Sequence, residues 1–269
     1  MDLSPRLTLS RRAALRLGAS GVASLALTGG AFAQAWERFE PARKLIGDAK
    51  PSPDGLTLEL PLVSEDGSSV QLTVSANRPM TDGDYVQSIH LFATRNPSPE
   101  IASFELTPRA GRANVMTRVR LNESQAVIAV ARTSKGEVLV ASRDVRVTQS
   151  GCLVRADTYE STGEMQPRVR VPAKVSAGAP AEILTLINHP METGLREGAD
   201  GKILPQRIVR SFEATLDGES FFKATLYRSL AANPYLRFYA VPAKSGKLAF
   251  KWTEDTGRTA EASASIAVG

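Results

Sequence analysis

The sequence predicts an all-β protein, two tandem immunoglobulin-like antiparallel β-sandwiches joined by a short linker. Three observations lead there. After residue 45 no stretch keeps a sustained apolar period of 3.6, several stretches alternate apolar and polar residues, and the alternation starts afresh at Pro167. Short period-two runs bounded by turn residues are the pattern of strands that bury one face. Seven or so such strands close a small sandwich.

Along the first half, Leu56, Leu58, Leu60 and Leu62 alternate with polar or small residues, and Pro61 assigns this run to a strand end or edge. Val70, Leu72 and Val74 repeat the pattern after the turn Glu65-Asp66-Gly67. Further strands are expected at 88–93, 101–106, 114–121, 125–132 and 143–148, with one short helix over 36–46. In the second half Val169 and Val171 alternate, and 182–187 is a buried-looking run. Runs at 209–216 and 220–227 flank Asp217-Gly218, a strong hairpin signal. Runs at 236–241 and 247–252 flank Lys244-Ser245-Gly246, which reads as a second hairpin, and 260–268 closes the chain. The expected units are therefore 36–152 and 166–269, each near the commonest domain size, with a polar, aperiodic linker at 153–165.

Length and composition agree with an ordinary folded chain. The protein has 269 residues, 42% hydrophobic and 23% charged, which supports a sizeable core and excludes wholesale disorder. Residues 1–33 read as a twin-arginine signal peptide: Ser10-Arg11-Arg12-Ala13, a short apolar run to Leu27, then the cleavage pattern Ala31-Phe32-Ala33. The apolar run falls well short of the roughly 20 residues needed to cross a bilayer. Removing it takes away four basic residues and one acid, so the net charge falls from +5 to +2. A nearly neutral protein does not suit nucleic acid, whose binding depends on neutralising many phosphates. The expected location is the periplasm, with no membrane span in the mature chain.

Chemistry-bearing residues are few. One Cys excludes an internal disulfide framework, and two His leave little for a metal. Cys152 stands in Thr148-Gln149-Ser150-Gly151-Cys152-Leu153, where the first half runs out into the linker. An exposed thiol in an exported protein is open to oxidation and asks for a reason, while an inert cysteine tucked against the second half is the plain alternative. Arg146 and Arg155 flank it and suit a thiolate or an anionic adduct, or else are solvated charges paired with Asp144 and Asp157. A thiol enzyme would need a base. His90 falls in an expected strand and His189 in the loop Asn188-His189-Pro190-Met191-Glu192, so a thiol-dependent transferase using His189 is the weakest reading. Met80, Met191 and His189 lack any regular ligand spacing, and no metal or cofactor is expected.

Several stretches resemble a known pair of families. Arg78-Pro79-Met80-Thr81-Asp82-Gly83-Asp84-Tyr85-Val86, Arg95-Asn96-Pro97-Ser98-Pro99 and Phe104-Glu105-Leu106-Thr107-Pro108 resemble SoxY, the sulfur-carrier subunit of thiosulfate oxidation. Val169-Arg170-Val171-Pro172-Ala173, Asn188-His189-Pro190-Met191-Glu192-Thr193-Gly194 and Ala232-Asn233-Pro234-Tyr235 are similar to SoxZ, its β-sandwich partner. The resemblance implies a covalent carrier and not an enzyme. Cys152 would hold sulfur intermediates, and Ser150 and Gly151 would give the arm its flexibility. Of the family's flanking glycines only Gly151 remains, with Ser150 and Leu153 at neighbouring positions. The implied partners are a thiosulfate-attaching cytochrome, a sulfate-releasing hydrolase and a sulfane dehydrogenase. The alternative is a non-covalent accessory role beside a periplasmic quinoprotein (PQQ-dependent) dehydrogenase.

Overall fold

The computed structural model describes residues 35–150, 165–198 and 200–269. A 3-10 turn at Trp36–Arg38 and helix α1 at Glu40–Ile46 occupy the expected helical segment, with Pro41 in the first turn, where its missing N–H has no intrahelical partner to lose. The first half then forms β1 (Leu56–Glu59), β2 (Val63–Ser64), β3 (Val70–Ala76), β4 (Met80–Thr81), β5 (Asp84–Ala93), β6 (Glu100–Leu106), β7 (Ala113–Val119), β8 (Gln125–Thr133) and β9 (Val138–Val147). The second forms β10 (Gln166–Arg170), β11 (Lys174–Val175), β12 (Ala181–Asn188), β13 (Val209–Leu216), β14 (Glu219–Leu226), β15 (Tyr235–Ala240), β16 (Gly246–Glu254) and β17 (Thr259–Val268).

The all-β sandwich architecture is as expected, and the structure adds how the halves join. One sheet runs β1-β3-β7-β15-β12-β10 and the other β11-β17-β16-β13-β14-β6-β5-β8-β9-β2, so both sheets cross from one half to the other. In the larger sheet the seam is a full antiparallel pair, with Leu106 opposite Phe222, Glu105 opposite Lys223 and Ala102 opposite Leu226. In the smaller sheet Met116 of β7 faces Arg237 of β15, and the Thr117 hydroxyl donates to the Tyr235 carbonyl at 2.8 Å. One hydrophobic core results, holding Leu72, Ile89 and Phe104 from the first half with Phe212, Phe222, Phe238 and Trp252 from the second. The Phe104 ring lies 5.8 Å from that of Phe222, which stacks on Phe238 at 4.3 Å. A smaller cluster seats α1 on the outer face of the larger sheet, with Ala42 and Ile46 against Phe92, Ile128 and Val140.

Most of the expected strands form, and Asp217-Gly218 makes the expected hairpin, both residues at positive φ (53° and 84°) as its turn type requires. The reading of Lys244-Ser245-Gly246 as a hairpin is corrected. β15 pairs with β12 and β7, while β16 pairs with β13 and β17 in the other sheet. The chain crosses between sheets here, because after β15 the Val241 N–H turns to the Arg109 carbonyl at 2.7 Å and Pro242 has no N–H to extend the ladder. Gly246 has a separate reason to be small: a Cβ there would lie 2.7 Å from the Asp217 carboxylate, which accepts the Lys247 N–H. Two short edge strands are parallel to their neighbours, β2 beside β9 and β11 beside β17.

Candidate functional site

β9 runs toward the cysteine segment, and its stem is fixed residue by residue. The Arg146 N–H donates to Leu62 O at 2.9 Å and the Thr148 N–H to Ser64 O at 3.1 Å, so β2 flanks the outgoing chain. The Thr148 hydroxyl donates to Glu65 O at 3.1 Å, and the Gly67 N–H donates to Gln149 O at 2.9 Å. The Ser150 hydroxyl then donates to the Asn122 side-chain oxygen at 2.7 Å. Gly151, Cys152 and Arg155, all singled out in the sequence, lie outside the described residues. Arg146 is exposed on β9, next to Val63 of β2. The described chain resumes at Met165, packed against the core, and Gln166 pairs with Asn188.

Beneath the stem lies a polar network that the sequence reading missed. Asn96 is 8% exposed, and its side chain reaches four partners. Its oxygen accepts the Asn122 N–H at 2.9 Å and the Gln125 amide at 2.8 Å. Its nitrogen donates to Arg120 O at 2.7 Å and to the Ser229 hydroxyl oxygen at 2.9 Å. Two donors and two acceptor sites are all that a carboxamide has, so Asn96 is saturated. Ser229 belongs to the second half and in turn donates to Ser98 O. The network therefore links the stem, through Asn122, to the seam between the halves. The one sequence signal was Asn96 itself, placed before Pro97 and Pro99 in a break between strands, where an Asn side chain commonly satisfies nearby backbone.

Arg120 extends the linkage to the loop carrying His189. Its guanidinium donates to Met191 O at 2.7 Å and to Pro190 O at 3.0 Å. His189 is buried, and its Nδ1 accepts the Met191 N–H at 3.0 Å, so the proton sits on Nε2 and donates to Glu254 Oε1 at 2.9 Å. Burial pushes the imidazole below its ordinary 6.5, outweighing the pull of Glu254. Burial tends to raise Glu254, yet hydrogen bonds from Thr256 and His189 hold it below the ordinary 4.5. The Met191 sulfur accepts the Val209 N–H, and Met191 itself sits at φ 51°. His189 and Met191 thus hold a loop in shape, with both imidazole nitrogens engaged. His90 sits on β5 between the Ser103 and Ser88 hydroxyls, at 2.9 and 3.2 Å, its pKa lowered by burial and by Arg132. Among the described residues no three His, Cys, Asp or Glu side chains gather as metal ligands, and no helix is long and apolar enough to cross a membrane.

Comparison with known proteins adds two family matches, in chain order. One family, described as sulfur oxidation protein SoxY, matches residues 42–152, so its match ends on Cys152. The other, described as sulphur oxidation protein SoxZ, matches residues 169–265. Among solved structures, the sulfur carrier protein SoxY from Chlorobium limicola f thiosulfatophilum is 26% identical, covering 40% of this chain and 89% of that one, with a TM-score of 0.34. A superoxide reductase (neelaredoxin) from Ignicoccus hospitalis is 15% identical, covering 35% and 80%, with a TM-score of 0.32. No curated protein matches the sequence.

Proposed function

We propose that this chain, which belongs to the SoxY and SoxZ families as a fusion of the two in that order, carries sulfur groups covalently on Cys152. The fusion makes it a carrier of sulfur oxidation. The finer reading rests on one observation above all: the SoxY match ends on the chain's single cysteine, at the end of a stem fixed to the body. The Cys152 thiolate suits the chemistry, since it forms S–S bonds that a later thiolate or enzyme can reopen.

In the proposed cycle a partner cytochrome joins thiosulfate to Cys152. A sulfur–sulfur bond forms, the thiol proton leaves and two electrons pass to the cytochrome. A hydrolase then adds water across the outer sulfur–sulfur bond, releasing sulfate and a proton and leaving a persulfide on Cys152. A dehydrogenase then oxidises the outer persulfide sulfur to a sulfonate with oxygen from three waters, taking up six electrons and releasing seven protons, and a second hydrolysis releases it as sulfate and a proton and restores the Cys152 thiol. Neither histidine is placed to serve these steps as a general base: His189 and His90 both have their ring nitrogens engaged with neighbours in the body. The twin-arginine pattern in residues 1–33 supports export, and we place the cycle in the periplasm.

The test is intact mass of the mature protein from cells oxidising thiosulfate, before and after reduction, with Cys152→Ser beside it. The expected result is a reducible sulfur adduct on the wild type alone. A bare thiol on the wild type throughout turnover would sink the carrier reading and favour an accessory role beside a quinoprotein dehydrogenase.

A further inference from the structure

The outer face of the smaller sheet has a composition that the larger sheet does not share. Strand pairing brings its outward side chains into one plane. On β7 these are Asn114, Met116 and Arg118, on β15 Tyr235, Arg237 and Tyr239, and Met116 stands opposite Arg237. On β12 Leu184 and Leu186 point the same way, opposite Arg237 and Tyr235. On the edge strand β10 Arg170 and Arg168 stand opposite those two leucines. A half-buried apolar strip of Met116, Leu184 and Leu186 therefore runs between arginines and crosses the seam between the halves. Arg118 lies over the Tyr235 ring at 5.4 Å and Arg112 over that of Tyr239 at 5.3 Å, contacts that hold two planar guanidinium groups in place. Among the described residues Arg112, Arg118, Arg168 and Arg170 have no ion-pair partner. Arg237 has only a distant one, Glu182 at 3.9 Å, and its Nε is buried without an acceptor. Five arginines thus share the face with two outward acids, Glu59 on β1 and Glu182 on β12. On the larger sheet, by contrast, α1 covers the outer face over Phe92, Ile128 and Val140. Farther along it Lys223 faces Glu213 at 3.6 Å and Lys251 faces Glu261 at 3.5 Å.

We propose that this face docks a partner protein through a flat, carboxylate-rich surface with an apolar centre. Charge complementarity selects the occupant. Guanidinium groups without acid partners, two of them laid flat on tyrosine rings, are arranged to receive carboxylates through paired parallel hydrogen bonds. Arg, Tyr and Met are also the residue types that protein interfaces concentrate. The apolar strip selects a protein over a nucleic acid, since a phosphate backbone has nothing to lay on Met116, Leu184 and Leu186, and the two glutamates repel it. A lipid surface is equally unsuited, because the strip is half-buried among the arginines and does not project far enough to enter acyl chains. Six strands about 4.8 Å apart, each giving about five residues at about 3.4 Å, make a plane of roughly 24 by 17 Å. That is the scale of a small, transient contact, steered by charge and weakened by salt. Both halves supply the face, so only the joined seam displays it whole. The proposal goes beyond the carrier reading and does not depend on it.

The experiment titrates the full chain with fluorescein-labelled poly-L-glutamate and with a labelled copolymer of glutamate and tyrosine, and reads anisotropy. It is run at about 0.1 M salt, where charges more than about 10 Å away are screened. Arg112→Glu/Arg118→Glu and Arg168→Glu/Arg170→Glu, one pair from each half, are compared with Lys223→Glu/Lys251→Glu, the same change of charge on the larger sheet. Each arginine pair should weaken binding about tenfold and the lysine pair about twofold or less. The copolymer should bind the wild type several-fold more tightly than polyglutamate. Melting temperatures should be unchanged, and the Arg168/Arg170 pair keeps the test decisive should loss of the Tyr235 and Tyr239 contacts loosen the other. Equal weakening by the lysine pair overturns the proposal. Copolymer binding no tighter than polyglutamate also overturns it, leaving a surface that merely attracts anions. Tighter binding of phosphatidylglycerol vesicles or duplex DNA through the same arginines overturns it in favour of lipid or nucleic acid. None of these outcomes bears on the loading of Cys152, which intact mass reads separately.

Discussion

The seam between the halves and the end that bears the cysteine stem are built from opposite materials. At the seam β6 pairs with β14 over five residues, and Phe104, Phe222 and Phe238 stack across it in a buried core. At the stem the connections are hydrogen bonds between polar side chains and backbone, from Ser150 through Asn122 and Asn96 to Ser229. Apolar burial is roughly proportional to area and tolerates no water, so it suits a contact that never opens. Hydrogen bonds exchange with water at small net cost, so they suit a segment that can open and reclose. What two separate subunits would achieve by association, this chain achieves with continuous sheets, and the fusion raises the effective concentration of one half for the other.

The largest effect that would break this contrast is expected at Phe222. Phe222→Ala removes a fully buried ring at the centre of the seam and should destabilise the protein by about 3–5 kcal/mol. Urea unfolding followed by tryptophan fluorescence and by circular dichroism should still show one shared transition, at lower denaturant. Two separated transitions would mean that the halves are independent bodies. Asn96→Ala comes next. It strands the Asn122 and Gln125 donors and the Arg120 carbonyl in a buried place, for about 2–3 kcal/mol. The same unfolding experiment on Ser229→Ala, which removes the acceptor of one Asn96 donor and the donor to Ser98 O but leaves the rest of the network paired, should give about 1–2 kcal/mol.

The chain's two histidines sharpen the comparison through pH. Both have pKa values below the ordinary 6.5 in the folded protein, mainly through burial. The unfolded chain therefore binds protons first as pH falls. Their contribution to stability is fully present above 6.5 and is lost as pH drops through the lowered folded values. Glu254, held below 4.5, adds a further loss at lower pH in the same direction. In urea midpoints measured from pH 8 to pH 4, the wild type should stay level to about 6.5 and then decline. His189→Gln should start from a lower plateau and decline less between pH 6.5 and 5, with His90 accounting for the remainder. An unchanged slope would show that His189 is not buried as a neutral ring.

How far the sequence already spoke differs between the same two regions. Asp217-Gly218 is legible because a turn of that type needs two residues at positive φ, and the chemistry that permits it is local. Lys244-Ser245-Gly246 carries the same kind of local signal, yet the decision to cross between sheets belongs to Val241 and its partner Arg109, far apart in sequence. Phe104 and Phe222 read as core residues of two sandwiches, and nothing in their periodicity tells that they face each other. The Asn96–Ser229 bond joins residues 133 positions apart, so no spacing rule reaches it. Cys152, by contrast, is conspicuous in the sequence because it is single and stands at the end of a strand pattern.

The smallest expected effect falls on Ser150, and it tests whether the stem is as exchangeable as its materials imply. Ser150→Ala deletes the hydroxyl that donates to Asn122 but leaves the backbone bonds of Thr148 and Gln149 in place. One partly buried hydrogen bond contributes about 0.5–1.5 kcal/mol when intact, and here water can take up the Asn122 oxygen, so the unfolding midpoint should move by less than about 1 kcal/mol. Amide hydrogen exchange should register the change where global unfolding barely does. The Thr148 and Gly67 N–H groups, which bind Ser64 O and Gln149 O, should exchange several-fold faster than in the wild type, while amides in β6 and β14 keep their rates. Faster exchange in β14 as well would show that the stem and the seam open together, and the division between a permanent joint and an exchangeable end would then be lost.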